Sequence, residues 1–190
     1  MPGERRETGE DALTARWVGE KRPFAKPHTE LLRPLVLVVF LVVVLDQASK
    51  LLVDAVLSRG QSVSLLDGFL RLVYVRNSGA AFGVFRGTGT PLVFVSVAAS
   101  VLVLLYLLLV PPERASSRRA LALVLGGAIG NMIDRVGRAG EVIDFIDMGV
   151  SERLRWPAYN VADIAVTVGV LLLVLEFLWD GRRARRESSV

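Results

Sequence analysis

Pro34-Leu-Val-Leu-Val-Val-Phe-Leu-Val-Val-Val-Leu-Asp-Gln-Ala-Ser-Lys50 is the stretch on which the reading of this chain turns. Pro34 to Leu45 is apolar throughout, yet it falls short of the roughly 20 helical residues that a bilayer's hydrocarbon core needs. A span starting at Pro34 therefore has to carry Asp46, Gln47 and Lys50 into the membrane and run on to Val56. Asp46 and Lys50 stand i, i+4 apart, so one helical face holds both and each charge can neutralise the other. A structural ion pair near the outer end of the span is the preferred reading over a catalytic one. Ser49 points to another face, which speaks against a nucleophilic Ser–Lys dyad.

Working outward, three further segments are apolar enough to cross: about Pro91 to Val110, Ser116 to Ile133 and Val161 to Trp179. The chain is 52% hydrophobic and 22% charged over 190 residues, with mean hydropathy +0.47, so the two classes must be segregated along it. The fold class expected is a membrane all-α protein with four transmembrane helices. Its organisation is a disordered cytoplasmic extension over 1–33, a membrane domain over 34–179 and a basic cytoplasmic tail over 180–190. Lys and Arg gather on the cytoplasmic side of short loops. Lys26 and Arg33, then Arg114, Arg118 and Arg119, then Arg182, Arg183, Arg185 and Arg186 all fall on one side if there are four spans. Both termini are expected in the cytoplasm, with the connections 57–90 and 134–160 facing outward. The first of these alternates over Gln61–Leu66 and Phe69–Arg76, which predicts a small β-rich element there, followed by a small-residue turn at Asn77-Ser-Gly-Ala-Ala-Phe-Gly83.

Composition also removes whole classes of chemistry. There is no cysteine, and the single histidine, His28, lies in the polar N-terminal segment. Thiol catalysis, Cys-ligated metals and histidine triads are thereby excluded. The net charge of +4 sits on arginines that flank apolar spans with no aromatic interleaving, so membrane topology and not nucleic acid explains it. No cofactor or metal is implied. Hydrolytic chemistry falls to carboxylates, hydroxyls or lysine.

The carboxylates form a pattern. Gly126-Gly-Ala-Ile-Gly-Asn-Met-Ile-Asp-Arg135 closes the third span and Asn160-Val-Ala-Asp163 opens the fourth. Each contains Asn-x-x-Asp, and that spacing puts amide and carboxylate on the same side of a helical turn. Helix packing alone accounts for Gly126 and Gly130, and capping alone accounts for Asn160 or Asp163. Between the two blocks, Asp144 lies in Glu141-Val-Ile-Asp-Phe-Ile-Asp147, apolar enough to return to the membrane surface. Asp134, Asp144 and Asp163 thus gather near the outer face. Two nearby carboxylates share a proton, and such a pair hydrolyses a peptide by activating water with one acid and protonating the scissile carbonyl with the other. The residues alone leave open whether Asp134 or Asp144 partners Asp163.

Five blocks in order, Asp46-Gln-Ala-Ser-Lys50, Asn77-Ser-Gly-Ala-Ala-Phe82, Gly126 to Arg135, Val142-Ile-Asp-Phe145 and Pro157-Ala-Tyr-Asn-Val-Ala-Asp163, make the chain resemble lipoprotein signal peptidase (signal peptidase II), a family of membrane aspartyl proteases. The resemblance runs from about Pro34 to Trp179. It implies that Asp144 and Asp163 are the catalytic pair and that Asn77, Asn131, Arg135 and Asn160 line the substrate site. It implies a supporting role for Asp46 and Lys50, and leaves Asp134 a neighbour held by Arg135. The substrate implied is a diacylglyceryl-modified prolipoprotein, met among membrane lipid and cut on the N-terminal side of its lipid-bearing cysteine. The location implied is the bacterial cell membrane, with the active site at its outer face. Tyr159 stands where the family commonly has Phe. The competing reading is a small transporter or proton-conducting protein that uses these acids as a relay. A relay should span the membrane depth, and the later aspartates do not.

Overall fold

The structure, a computed structural model, describes residues 28–79, 89–109 and 114–187. It divides into Met1–Arg33, of which residues 28–33 are described and helical, and Pro34–Val190, which holds everything discussed below. The elements in order are α1 (His28–Val56), β1 (Ser62–Leu65), a 3-10 turn (Leu66–Gly68), β2 (Leu70–Asn77), α2 (Gly89–Leu109), α3 (Ala115–Gly137), β3 (Val142–Met148) and α4 (Val161–Glu187). The Leu/Val runs form helices despite the β-branching of valine because a helix satisfies every backbone group within one segment, which a lipid environment demands. Among the described residues, Leu32–Val56, Ala115–Gly137 and Val161–Arg182 are long and apolar enough to cross a membrane, and Val93–Leu109 is a shorter apolar helix.

Small residues set how closely the helices pack. A Cβ on Gly126 would come within 2.8 Å of Val42 Cβ, and one on Gly130 within 2.7 Å of Asp46 Oδ2, so α1 lies directly on this stripe of α3. A Cβ on Gly127 would collide with the carbonyl oxygen of Ala162, and one on Gly169 would come within 2.6 Å of that of Ala120, so α4 closes in from the other side. The stripe thus brings the Asp46 turn of α1 and the first turn of α4 against the same stretch of α3.

The strands form one antiparallel sheet in the order β1-β2-β3. The expectation placed the β-rich element in the first long connection alone; the sheet takes its third strand from the second connection as well. That strand is the apolar Val142–Met148 run, whose inner half is buried. Its pairing with β2 passes from Leu72↔Ile146 to Val75↔Asp144, so β2 carries one extra residue at a bulge. A one-residue slip exchanges the two faces of a strand. The register after the bulge turns Val75, Asn77, Val142 and Asp144 toward one cavity, while Tyr74, Ile143 and Phe145 pack with Val53 on the other side.

Two turns tie the sheet to the helices. At the end of α3, Arg138 N–H donates to Asp134 O (2.7 Å) and Gly140 N–H to Arg135 O (2.8 Å), and Gly140 at φ +87° turns the chain back into β3. Further on, Phe145 N–H and Ile146 N–H both donate to Tyr159 O, which lays the entry to α4 beside β3.

Helix ends differ from expectation where polar residues continue a good helical pattern. Helix α1 begins at His28, ahead of Pro34, and α4 continues past Trp179 to Glu187 through the arginine-rich segment assigned to the tail. Arginine and alanine are strong helix formers, so leaving the apolar region does not end the helix. Residues 1–27 of the expected extension, residues 80–83 of the small-residue turn and residues 188–190 of the tail lie outside the described residues.

Candidate active site

Asp46 and Lys50 lie one turn apart on α1, both with no solvent exposure, and Asp134 of α3 joins them equally buried. Lys50 Nζ lies 2.7 Å from Asp46 Oδ2 and 2.9 Å from Asp134 Oδ2. Each carboxylate is also tied to backbone: Asp46 Oδ1 accepts Ala162 N–H at 2.9 Å and Asp134 Oδ2 accepts Ile143 N–H at 3.1 Å. Gln47 Nε2 donates to Asp46, to Asp134 and to Gly130 O, each at 3.1 Å. Arg138 pairs with Asp134 Oδ1 from one turn further along α3. Two acids thus meet two bases, and the cluster fastens α1, α3, β3 and the start of α4 together.

That arrangement corrects the expectation for Arg135, which does not hold Asp134. Consecutive helix residues point about 100° apart, whereas i, i+4 residues share a face, so Arg138 is the residue in reach. Arg135 turns the other way, donates from its Nη1 to Ser96 Oγ of α2 at 3.0 Å and lines the cavity. Among the described residues, its Nε is buried without a hydrogen-bond partner.

Asp144 and Asp163 are held quite differently. Asp144 is 3% exposed in the buried half of β3, and Asp163 sits in the first turn of α4; both line the same cavity, and Asp134 does not. Asp144 Oδ1 accepts Asn160 Nδ2 at 2.7 Å and its Oδ2 accepts Asn77 Nδ2 at 2.9 Å. Asp163 Oδ1 accepts Asn131 Nδ2 at 2.8 Å and its Oδ2 accepts Asn160 N–H at 3.2 Å. Asp163 N–H returns a bond to Asn160 Oδ1 at 3.0 Å, a reciprocal cap on α4. Capping and site construction are therefore the same contacts. All four carboxylate oxygens receive a neutral N–H. Burial, more than the neighbouring Asp163 charge, pushes the Asp144 carboxyl up to about 6. A pair held this way is suited to keeping one proton between two acids.

The cavity measures about 1450 Å³, above the roughly 300–1,000 Å³ of ordinary small-molecule pockets. Asn77, Asn131, Arg135, Asp144 and Asp163 line its polar end, and Phe69, Val150, Leu154, Trp156, Ile164 and Val168 give it apolar walls. Asn160 is fully buried behind the two aspartates. Three supporting residues escaped the sequence reading: Arg138, Gln47 and Ser96. Arg138 was detectable by its i+4 spacing from Asp134. The bonds of Gln47 to Gly130 and Asp134, and that of Ser96 to Arg135, act across long separations that carry no local signal.

Residues 38–179 match the family model described as Signal peptidase (SPase) II. The chain is 44% identical over 154 residues to the "Lipoprotein signal peptidase" of Syntrophotalea carbinolica, covering 80% of this chain and 94% of that one. It is 37% identical over 154 residues to the protein of the same name from Moorella thermoacetica, covering 81% and 99%. A solved bacterial membrane enzyme, determined by the in meso method at 2.3 Å resolution, superposes with a TM-score of 0.71 at 30% identity over 78% of this chain and 89% of that one. A second, at 1.9 Å resolution, gives 0.68 at 30% identity over 76% and 92%. With an aspartate pair set in a large amphipathic cavity and a match over most of its length, the chain belongs to the signal peptidase II family of proteases.

Proposed function

We propose that this protease removes signal peptides from diacylglyceryl-modified prolipoproteins, cutting on the N-terminal side of the lipidated cysteine with Asp144 and Asp163 as its catalytic residues. The observation that carries the assignment is the contrast in partners: Asp144 and Asp163 face a cavity and, among the described residues, accept their hydrogen bonds from neutral N–H donors, whereas Asp134 is committed to Lys50 and Arg138. Asp144, whose carboxyl is raised to about 6, holds the shared proton, and Asp163 is the base. Asp163 takes a proton from water as its oxygen attacks the scissile carbonyl, and Asp144 gives its proton to the carbonyl oxygen. Collapse of the tetrahedral intermediate breaks the C–N bond: the leaving nitrogen takes a proton from Asp163, a hydroxyl of the diol returns its proton to Asp144 as the new carbonyl forms, and the pair again holds one proton. The titration belongs to the two acids together. Arg135, Asn77, Asn131 and Asn160 support the site, with the buried Nε of Arg135 a donor available to a substrate carbonyl.

The apolar walls suit a substrate whose signal helix and acyl chains stay in lipid. Four helices cross the membrane in this reading, α2 included, with both termini in the cytoplasm and the sheet and cavity at the outer face; the clusters at Arg114, Arg118, Arg119 and Arg182 favour that orientation. The transporter alternative draws no support from the relatives. The deciding experiment is cleavage of a lipid-modified precursor by Asp144→Asn and Asp163→Asn, each purified in detergent: both should accumulate and neither should cut. Full activity in either variant would sink the assignment.

A further inference from the structure

Lys50 has three N–H donors and three partners: Asp46 Oδ2 at 2.7 Å, Asp134 Oδ2 at 2.9 Å and Asn131 Oδ1 at 3.2 Å. Asp46 alone would neutralise it, so the third contact is not needed for charge balance. An asparagine amide has an oxygen and an NH2 group of nearly equal shape, and its partners decide which points where. Asn131 Oδ1 accepts from Lys50 and from Asn160 Nδ2 at 3.2 Å, which leaves Nδ2 to donate to Asp163 Oδ1 at 2.8 Å. The reversed amide would set NH2 against an ammonium and a carbonyl oxygen against a carboxylate oxygen. Both contacts would be repulsive.

The other two amides are fixed by backbone. Asn77 Oδ1 accepts Gly79 N–H and Asn160 Oδ1 accepts Asp163 N–H, at 2.9 and 3.0 Å. Asn131 lies inside α3, where the helix uses its own backbone N–H groups, so its orienting donor has to come from a side chain. Taking the catalytic assignment above as its premise, we propose that Lys50 is a positioning residue for peptide hydrolysis, its ammonium fixing the Asn131 amide so that Asp163 receives an N–H. The Asp46–Asp134 cluster then serves the reaction by holding that ammonium in place.

The test is Asp46→Asn/Lys50→Met in the full chain, which removes one buried charge of each sign and leaves Asp134 with Arg138, Gln47 and Ile143 N–H. Cleavage of a lipid-modified precursor should show kcat lower by about tenfold or more with KM within about twofold, the pattern of a lost transition-state interaction. The acidic limb of the pH–rate profile should move to higher pH, because the acid pair loses both a donor to its ionised form and the Lys50 charge that favours ionisation of Asp144. Arg135 of α3 and Asp144 of β3, which also act on Asp163, are unchanged. Adding Asn131→Ala should lower kcat no further, since the two residues act through one contact. Wild-type kcat with an unshifted profile would overturn the proposal. If the double variant does not accumulate, Asn131→Asp decides: it keeps an acceptor for Lys50 but turns an oxygen on Asp163, so a normal amount of near-inactive protein is expected and wild-type kcat overturns the idea. An inactive wild-type chain would instead strike the function assignment, which keeps the two failures apart.

Discussion

The aspartates at 46 and 134 and those at 144 and 163 belong to one continuous hydrogen-bonded network, joined through Asn131, yet they are opposite solutions to burying two carboxylates. The first two have no exposure and are neutralised by Lys50 and Arg138, with main-chain N–H groups taking remaining lone pairs. The second two meet amides and one main-chain N–H and open onto a cavity. A cation beside a carboxylate secures its charge and silences it as an acid or base. Neutral donors hold its geometry and leave its proton negotiable, which is what acid–base chemistry near neutral pH requires. The sequence spacing Asn-x-x-Asp occurs in both regions, so what separates them is which other elements reach each aspartate.

The largest effect that could break this contrast is on the reaction itself. Asp163→Asn should lower kcat by on the order of 10³-fold or more, as removing a member of a concerted catalytic unit does, while the amount of protein in the membrane stays normal. Asp134→Ala should act first on stability. It leaves Arg138 unpartnered, strips Lys50 of one of its two anions and orphans Ile143 N–H, which predicts a loss of roughly 3–5 kcal/mol. Thermal unfolding in detergent and protein yield measure it. An Asp134→Ala chain that is abundant, stable and inactive would mean the two regions have been assigned the wrong way round.

Much of this contrast was legible in the sequence, for identifiable reasons. The Leu/Val runs marked the helices, and Asp46 and Lys50 declared themselves by i, i+4 spacing. The exclusion of Cys and His chemistry needed only a count. Which aspartate lines the cavity beside Asp163 was not legible from the residues, because it depends on the β2 bulge and on Tyr159 O meeting β3, contacts made across long stretches of chain. The resemblance to signal peptidase II names Asp144, where spacing leaves Asp134 equally open. Arg135 is out of reach of Asp134 because adjacent helix residues point apart, and Arg138, one turn on, takes its place. The third strand was missed because its apolar run, flanked by a helix end and a loop, has no alternation to mark it.

A middle-sized effect tests whether packing keeps the neutralised region in register. Gly130→Ala would set a methyl 2.7 Å from Asp46 Oδ2 and 3.3 Å from Ala162 Cβ. Helix α1 or α4 must shift to admit it, at a cost of about 1–3 kcal/mol in the manner of other overpacked cores. Since the same shift disturbs the Lys50 contacts, activity should fall with the melting temperature. Gly137→Ala, where an added Cβ meets nothing within 4 Å, is the control and should change neither.

The smallest effect carries a definite sign. Asp144 is raised to about 6 by burial, while an unfolded aspartate titrates near ~3.9. Between these values the native chain binds a proton that the unfolded chain has lost, so stability falls as pH rises through this window and the deficit is complete above about 6. The neutral Asp144→Asn variant escapes that deficit but gives up a carboxylate oxygen: its own NH2 must face the NH2 of Asn77 or Asn160. The net gain is correspondingly small, about 1 kcal/mol at pH 7.5, and it should vanish below pH 4, where the native carboxyl is protonated in both states. Thermal melts of both proteins across that range in detergent read it directly. A variant less stable than the parent at pH 7.5 would mean that the amides around Asp144 compensate its charge as fully as Lys50 and Arg138 compensate Asp134, and the distinction between the two regions would then lie in access to the cavity alone.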